Sequence, residues 1–266
     1  MPLQLSIGHL SLTVPVRPFT PSTFAPYGDA IQNPRPTLLP PATASTLSSL
    51  PYEALSANQG SAIKYQNVSR QRNLYDEAPS RIPAQPAMSM FVCRARPLIP
   101  AHELSKGDLG ASDATAADTN PTPKQSSYFR VNILERHPFT SQTFIPLSTS
   151  PTARYLVIVA PTLPSPGYPA LPTPSLSQDV PGPGLPDLQR LEAFVATGDQ
   201  AVTYAAGTWH APMAVIGDEG AKIDFVVAQF MNGVSNEDVQ EVELKGEDAE
   251  AGILAEITED KVKARL

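Results

Sequence analysis

Residues 200–213 read QAVTYAAGTWHAPM, and the fold predicted for the chain follows from this stretch. Its first part alternates as a β-strand does, a turn of small residues follows, and Trp209 and His210 come just before Pro212. Gly207 permits a tight backbone bend because glycine adopts positive φ without strain. His210 suits proton transfer near neutral pH, or metal binding, beside the apolar wall of Trp209. Taken alone, the pattern favours a packed strand end in which the histidine is hydrogen-bonded and structural. Whether His210 has a function therefore depends on the rest of the chain.

The composition favours many short strands joined by long loops. The 266 residues include 30 prolines and 15 glycines, and only 17% are charged. The net charge of −7, with scattered basic residues, argues against binding to nucleic acid or to an anionic membrane surface. A single cysteine, Cys93, excludes an intramolecular disulfide framework, and its apolar neighbours place it in the core. The first residues predict neither a signal peptide nor a membrane span.

Strand-like runs recur along the whole chain. The run RYLVIVA is continuously apolar in its middle, which predicts a strand buried on both faces. The runs cover 10–16, 61–69, 88–94, 128–134, 142–146, 154–160, 201–204 and 222–230. One helix is predicted over 188–196, with Asp187 as its N-cap and an apolar face formed by every third or fourth residue.

Two segments interrupt this pattern. Residues 101–127 are poor in large apolar side chains, and residues 161–186 contain nine prolines. We expect both to be surface insertions that contribute little to the core. The sequence therefore predicts one domain, 1–266, that is mainly β, a cupin-like β-barrel or jelly roll with one short helix and two Pro-rich insertions.

Four polar residues have the spacing of a cupin site. Cupins commonly take ligands from a His-x-His pair with a Glu soon after it, and from a later turn that ends in His. Glu135 and His137 stand at the first pair, Gln142 at the Glu position and His210 at the later turn. Carboxylate and imidazole groups bind divalent metals, whereas a neutral amide adds little. The set therefore indicates either a weak divalent metal site or a metal-free pocket for hydrogen bonding and proton transfer.

Longer pieces of the chain resemble ureidoglycolate lyases. The resemblance rests on four segments: Phe24-x-x-Tyr27-Gly28-Asp29; Met88–Pro97 with its Arg94-Ala95; LERHPFTSQTFIPL at 134–147; and 191–213. It covers most strands and excludes the insertions, which look like those of fungal members. The resemblance implies a cupin-like barrel, a homodimer, and an enzyme of purine breakdown that splits ureidoglycolate into glyoxylate and urea.

That reaction assigns roles to particular residues. Ureidoglycolate is a hemiaminal, so its cleavage needs a base for the hydroxyl, an acid for the leaving nitrogen and a cation for the carboxylate. His137 and His210 are the candidates for proton transfer. The candidate carboxylate ligands are Lys64, Arg72 and Arg94, with arginine preferred because its fork binds both oxygens. Gln142, Asn67 and Tyr204 are candidates to orient the ureido group. For all but the histidines, a structural or solvated role is at least as well supported.

Two other functions stay open on the sequence alone. One is a metal-dependent cupin enzyme acting on another small hydroxy acid or sugar, and the other is a cupin-like sensor without catalysis. No segment has the pattern of a Ser-His-Asp nucleophile, a phosphate-binding glycine loop or a zinc ribbon.

The last three residues, Ala264-Arg265-Leu266, are a variant of the Ser-Lys-Leu peroxisomal address. They predict a peroxisomal location, with a cytoplasmic enzyme as the alternative.

Overall fold

Strands dominate the computed structural model, which describes residues 2–104, 126–148, 150, 152–164, 171–175 and 180–258. They are β1 (Leu3–Gly8), β2 (Ser11–Pro18), β3 (Gly28–Ile31), β4 (Leu55–Ala57), β5 (Ala62–Lys64), β6 (Gln85–Arg94), β7 (Ile99–Pro100), β8 (Ser126–Val131), β9 (Ile133–Arg136), β10 (Gln142–Pro146), β11 (Arg154–Ala160), β12 (Glu192–Thr197), β13 (Ala201–Tyr204), β14 (Trp209–His210), β15 (Ala214–Ile216), β16 (Lys222–Met231), β17 (Gln240–Gly246) and β18 (Gly252–Thr258).

The helices are short. They are α1 (Pro21–Phe24), α2 (Ala44–Ser48) and α3 (Ser235–Asp238), and 3₁₀ turns cover Asn58–Gly60, Tyr75–Glu77, Ala101–Glu103 and Leu188–Arg190. The Thr20 side chain caps α1 and accepts a hydrogen bond from the Thr23 N–H. No described helix is long and apolar enough to cross a membrane.

Two sheets face each other. Within the described residues the larger sheet runs β1-β17-β9-β14-β11-β12-β2-β18-β8-β7, with β15 also paired to β11, and the smaller runs β3-β13-β10-β16-β6. Strands from both ends of the larger sheet pack into one apolar cluster, so this sheet curls around its own core. The predicted mainly β class is confirmed, and the architecture is consistent with a cupin-like fold.

Strand β11 separates two cores, as its continuous apolar run predicted. Leu156 and Ile158 pack into the core inside the larger sheet, and Tyr155, Val157 and Val159 pack into the core between the sheets. The alternation of a β-strand sends successive side chains to opposite faces, so every residue from 155 to 160 is buried. The second core is rich in aromatic rings, with Phe24 at its centre.

The predicted helix at 188–196 is wrong. Residues Leu188–Arg190 form a 3₁₀ turn without a side-chain cap from Asp187, and β12 follows. In β12, Ala193 and Val195 face the first core while Phe194 faces the second. Burial on both faces made the strand continuously apolar, and a short continuous run does not distinguish a buried strand from a helix.

The structure describes the two ends of the second predicted insertion, and they pair with each other. Thr162 forms a β-bridge with Pro186, the Leu163 N–H donates to the Leu185 carbonyl oxygen at 2.8 Å, and Leu185 packs against the first core. Most of the other predicted insertion, 105–125, lies outside the described residues, as do the last eight residues.

Candidate active site

His210 and His137 lie side by side although 73 positions separate them in the sequence (210 − 137). Their ring centroids are 5.6 Å apart, and both side chains are buried. His210 lies on β14, paired with Val159 on one side and Glu135 on the other. His137 follows directly after β9, and its carbonyl oxygen accepts the Gly207 N–H at 2.8 Å. The two segments that carry the histidines are therefore bound to each other.

The turn before His210 is also hydrogen-bonded to the backbone of Tyr27. The Tyr27 carbonyl oxygen accepts the Ala205 N–H at 2.9 Å and the Thr208 hydroxyl at 3.1 Å. Gly207 has a φ of +80°, the conformation that the sequence led us to expect. This turn aims His210 into the space between the two sheets.

Hydrogen bonds fix the tautomer of each histidine. His137 Nδ1 lies 2.6 Å from the Asp238 carbonyl oxygen, and His210 Nδ1 lies 2.9 Å from that of Thr208. Because a carbonyl oxygen only accepts, each Nδ1 carries a proton, and Nε2 is the atom that bears the lone pair when the ring is neutral. Neither Nε2 has a hydrogen-bond partner among the described residues, although both are buried. Two Nε2 atoms without partners thus point into one space.

Glu135 completes a cluster with these nitrogens. Its Oε1 lies 3.5 Å from His210 Nε2, and the ligand atoms of Glu135, His137 and His210 all lie within 4.8 Å of one another. Burial lowers the pKa of His137 to about 4, with a further contribution from His210, so His137 is neutral. Burial alone raises the pKa of Glu135, but the interaction with His210 reverses this and leaves it below the ordinary value. The cluster is therefore two imidazoles and a carboxylate.

Gln142 and Tyr204 lie at this cluster, opposite each other on β10 and β13. The Tyr204 ring stacks on His210, 3.9 Å between centroids and 10° from parallel. Burial raises the pKa of Tyr204, and Glu135 adds to this, so the phenol stays protonated. Gln142 Nε2 donates to Gln229 Oε1 at 2.8 Å, while its own buried Oε1 has no partner among the described residues.

No hydrogen bond or ion pair between described residues joins Lys64, Asn67, Arg72 or Arg94 to this cluster. Lys64 is exposed on the small β4–β5 sheet, and Asn67 is exposed with a φ of +51°. Arg94 lies at the far end of β6, beside a surface groove of about 660 Å³ lined by 94–98 and 217–220. Arg72 pairs with Ser141, the residue before Gln142: its N–H donates to the Ser141 hydroxyl at 2.8 Å and its carbonyl accepts the Ser141 N–H at 3.3 Å.

Sequence reasoning did not find several supporting residues. Asp238 is 101 positions from His137 and contributes only a backbone oxygen to it, so no pattern in the sequence links the two. Asp238 is itself held by the Tyr75 hydroxyl at 2.6 Å and by the N–H groups of Asn232 and Gly233. Arg136 stands between Glu135 and His137, and a charge at the alternate position that shares the buried face with Leu134 is the signal that was available.

Comparisons with known proteins point to one family. A family model described as ureidoglycolate lyase matches residues 11–249. The chain is 31% identical over 222 residues to a ureidoglycolate lyase of Schizosaccharomyces pombe, covering 83% of this chain and 86% of that protein. It is 34% identical over 172 residues to one of Saccharomyces cerevisiae, 64% and 67% of the two chains. A bacterial one, from Burkholderia mallei, is 36% identical over 99 residues, 37% and 42% of the two chains.

The buried, neutral His137 predicts a loss of stability in acid. The unfolded chain binds a proton at this residue below about pH 6.5, whereas the folded chain binds it only below about pH 4. Acid within this window therefore favours the unfolded state, by about 3 kcal/mol in total. Urea denaturation in EDTA at pH 7, 5.5 and 4 measures the change.

In the His137→Asn variant, the free energy of unfolding is expected to fall less between pH 7 and pH 4 than in the parent. His102→Asn, at an exposed histidine, is expected to show the parent's full decrease. An equal decrease in the parent and in His137→Asn would contradict the prediction.

Proposed function

The chain belongs to the ureidoglycolate lyase family and is a lyase, and we propose that Glu135, His137 and His210 form the centre at which it splits ureidoglycolate into glyoxylate and urea. The observation that carries the proposal is the convergence of two unpaired Nε2 atoms and a carboxylate in a buried space.

The bonds of the substrate define what the site must do. Ureidoglycolate carries a hydroxyl, a carboxylate and a ureido nitrogen on one carbon. Cleavage removes the hydroxyl proton, forms the C=O bond of glyoxylate, breaks the C–N bond and places a proton on the leaving nitrogen, which gives urea. No water is consumed. The developing charge on the hydroxyl oxygen and on the leaving nitrogen is what the residues must stabilise.

The three residues fit a divalent metal ion. Two imidazoles and an ionised carboxylate are an ordinary ligand set, and ligand histidines characteristically donate their other N–H to a carbonyl, as both do here. The buried Nε2 atoms without partners are otherwise costly. When bound, such an ion polarises a substrate oxygen and lowers the pKa of the hydroxyl. His137, His210 and Glu135 would hold it, and the stack of Tyr204 on His210 would keep the ring in place.

Neighbouring residues suit the rest of the substrate. Gln142 Oε1 is an acceptor without a donor, which matches a ureido N–H. The Tyr204 phenol stays protonated and can donate. Of the three candidate cations, Arg72 is the one whose backbone is bonded to the residue before Gln142, so we assign the substrate carboxylate to Arg72.

The same geometry favours a second candidate mechanism without metal. Here the free Nε2 of one histidine accepts the hydroxyl proton directly, since both rings present a lone pair to the same space.

Substitution and chelation test the centre. His210→Ala is expected to lower kcat/KM by roughly 10³-fold or more with only a small change in Tm, because the residue acts on substrate rather than in the core. His102→Ala, an exposed histidine, is the matched control. Exhaustive chelation is expected to abolish urea release, and a divalent metal to restore it, with bound metal measured by mass spectrometry.

Full activity in a parent protein free of metal would overturn the metal assignment and favour the direct proton transfer. Parent-like activity of His210→Ala would overturn the site itself.

We also propose a homodimer formed through β6. This strand is an edge of the smaller sheet in the described residues, and one of its faces exposes Met88, Met90 and Val92, at 80%, 56% and 66%. An apolar edge strand of this kind favours pairing with a second copy, since its backbone groups and its apolar side chains both gain partners.

Size-exclusion chromatography with light scattering is expected to give a dimer for the parent and a monomer for Met90→Lys, because a charge at the interface is costly to bury. Leu39→Lys, at a residue 76% exposed in a loop, is the control and is expected to stay dimeric. A monomeric parent, or a dimeric Met90→Lys, would contradict the proposal.

For a chain that ends at Leu266, we propose delivery to the peroxisome by Ala264-Arg265-Leu266. An N-terminal fluorescent fusion is expected to give punctate signal that overlaps a peroxisomal marker and becomes diffuse when the three residues are removed. Diffuse signal from both fusions would end this proposal.

A further inference from the structure

Arg136 is a buried guanidinium whose hydrogen bonds all go to neutral oxygens among the described residues. Its side chain has no exposed surface, and burial lowers its pKa to about 10, so it remains charged at neutral pH. Its Nη1 and Nη2 donate to the carbonyl oxygens of Gly182 (3.0 Å), Pro183 (3.4 Å) and Gly184 (3.2 Å), and its Nε donates to Gln240 Oε1 (2.8 Å). A buried charge with this set of partners is held by the backbone of one segment.

That segment, Val180–Pro186, is called the strap from here on. Trp209 is its second anchor: the indole N–H donates to the Gly184 carbonyl oxygen at 3.2 Å. The Arg136 guanidinium also lies over the Trp209 ring, 4.5 Å from the centroid. Arg136, the strap and Trp209 therefore form one continuous contact on the face of the sheet opposite to the histidines.

The strap also reaches the turn that carries His210. A Cβ placed on Gly207 would lie 3.3 Å from Pro181 Cδ and 3.4 Å from Val180 Cγ1, so the strap covers this turn closely. Gly207 is the residue whose N–H binds the His137 carbonyl oxygen. The strap thus packs against the position where the two histidine segments are joined.

We propose that Arg136 is a positioning residue: it fastens the strap, and the fastened strap holds the Gly207 turn so that His210 Nε2 stays aligned with Glu135 and His137. Arg136 does not touch substrate in this arrangement and acts through the backbone. The inference rests on the proposed function for its kinetic test, while its structural test does not need activity.

A pair of glycines in the strap allows the test without altering Arg136. A Cβ on Gly184 would lie 1.9 Å from the Leu163 carbonyl oxygen, so Gly184→Ala must displace the strap from its anchors. A Cβ on Gly182 meets nothing within 4 Å, so Gly182→Ala is the matched control. Arg136→Met removes the fastening charge, with Arg190→Met, at an exposed arginine, as its control.

Fluorescence reads the strap directly because Trp209 is the only tryptophan of the chain. Gly184→Ala and Arg136→Met are expected to shift its emission to longer wavelength and to increase quenching by acrylamide, and Gly182→Ala and Arg190→Met to match the parent. Parent-like emission from Gly184→Ala would overturn the docking of the strap. If Arg136→Met fails to fold, as judged by circular dichroism, the glycine pair still decides.

Kinetics and histidine NMR measure whether His210 stays aligned with Glu135 and His137. Gly184→Ala is expected to lower kcat by roughly 10- to 100-fold with a smaller change in KM, since misplacing a catalytic group by about 1 Å has effects of this size. With four histidines in the chain, ¹⁵N spectra can report whether His210 still carries its proton on Nδ1. Altered emission with the parent's kcat and His210 signal would overturn the positioning role. A parent without urea release would instead reject the proposed function, and the fluorescence and NMR results would stand.

Discussion

Two hydrogen bonds to backbone carbonyls determine the chemistry of the site. The Nδ1–H of His137 donates to Asp238 and that of His210 donates to Thr208. With a proton held on each Nδ1, Nε2 is the atom that each ring offers to the site, and the ionised Glu135 lies beside both. If either histidine carried its proton on Nε2 instead, that ring would present an N–H donor to the site. The β9–β14–β11 pairing and the contact of Gly207 with His137 are the structural supports of this arrangement.

Side-chain patterns in the sequence predicted the buried strands and the residues of the candidate site. The run at 154–160 identified the central strand with its correct ends, and Gly207 has the positive φ expected for the turn before His210. The cupin-like spacing named Glu135, His137 and His210, whose ligand atoms lie within 4.8 Å of one another, and Gln142, which lies opposite Tyr204. Glu135 and His210 meet because β9 pairs with β14.

Contacts made through main-chain atoms could not be predicted from side-chain patterns. The helix predicted at 188–196 failed because β12 is buried on both faces, and burial removes the alternation that separates strand from helix. Residues 180–186 belong to the second predicted surface insertion, which lacks apolar periodicity. They are bound through carbonyl oxygens to Arg136 and Trp209, and every residue type has a carbonyl oxygen. Lys64, Arg72 and Arg94 looked equivalent because the sequence does not tell which cation lies near Gln142.

An attachment made by main-chain oxygens has an evolutionary consequence. Side-chain identity in the strap matters little to Arg136, whereas Val180 and Pro181 pack against the Gly207 turn and Leu185 packs against the first core. Gly184 is constrained as well, because the Leu163 carbonyl lies where a side chain would begin. Insertions of differing length and composition are then compatible with one active site, provided that their carbonyl oxygens lie within hydrogen-bond distance of the Arg136 guanidinium.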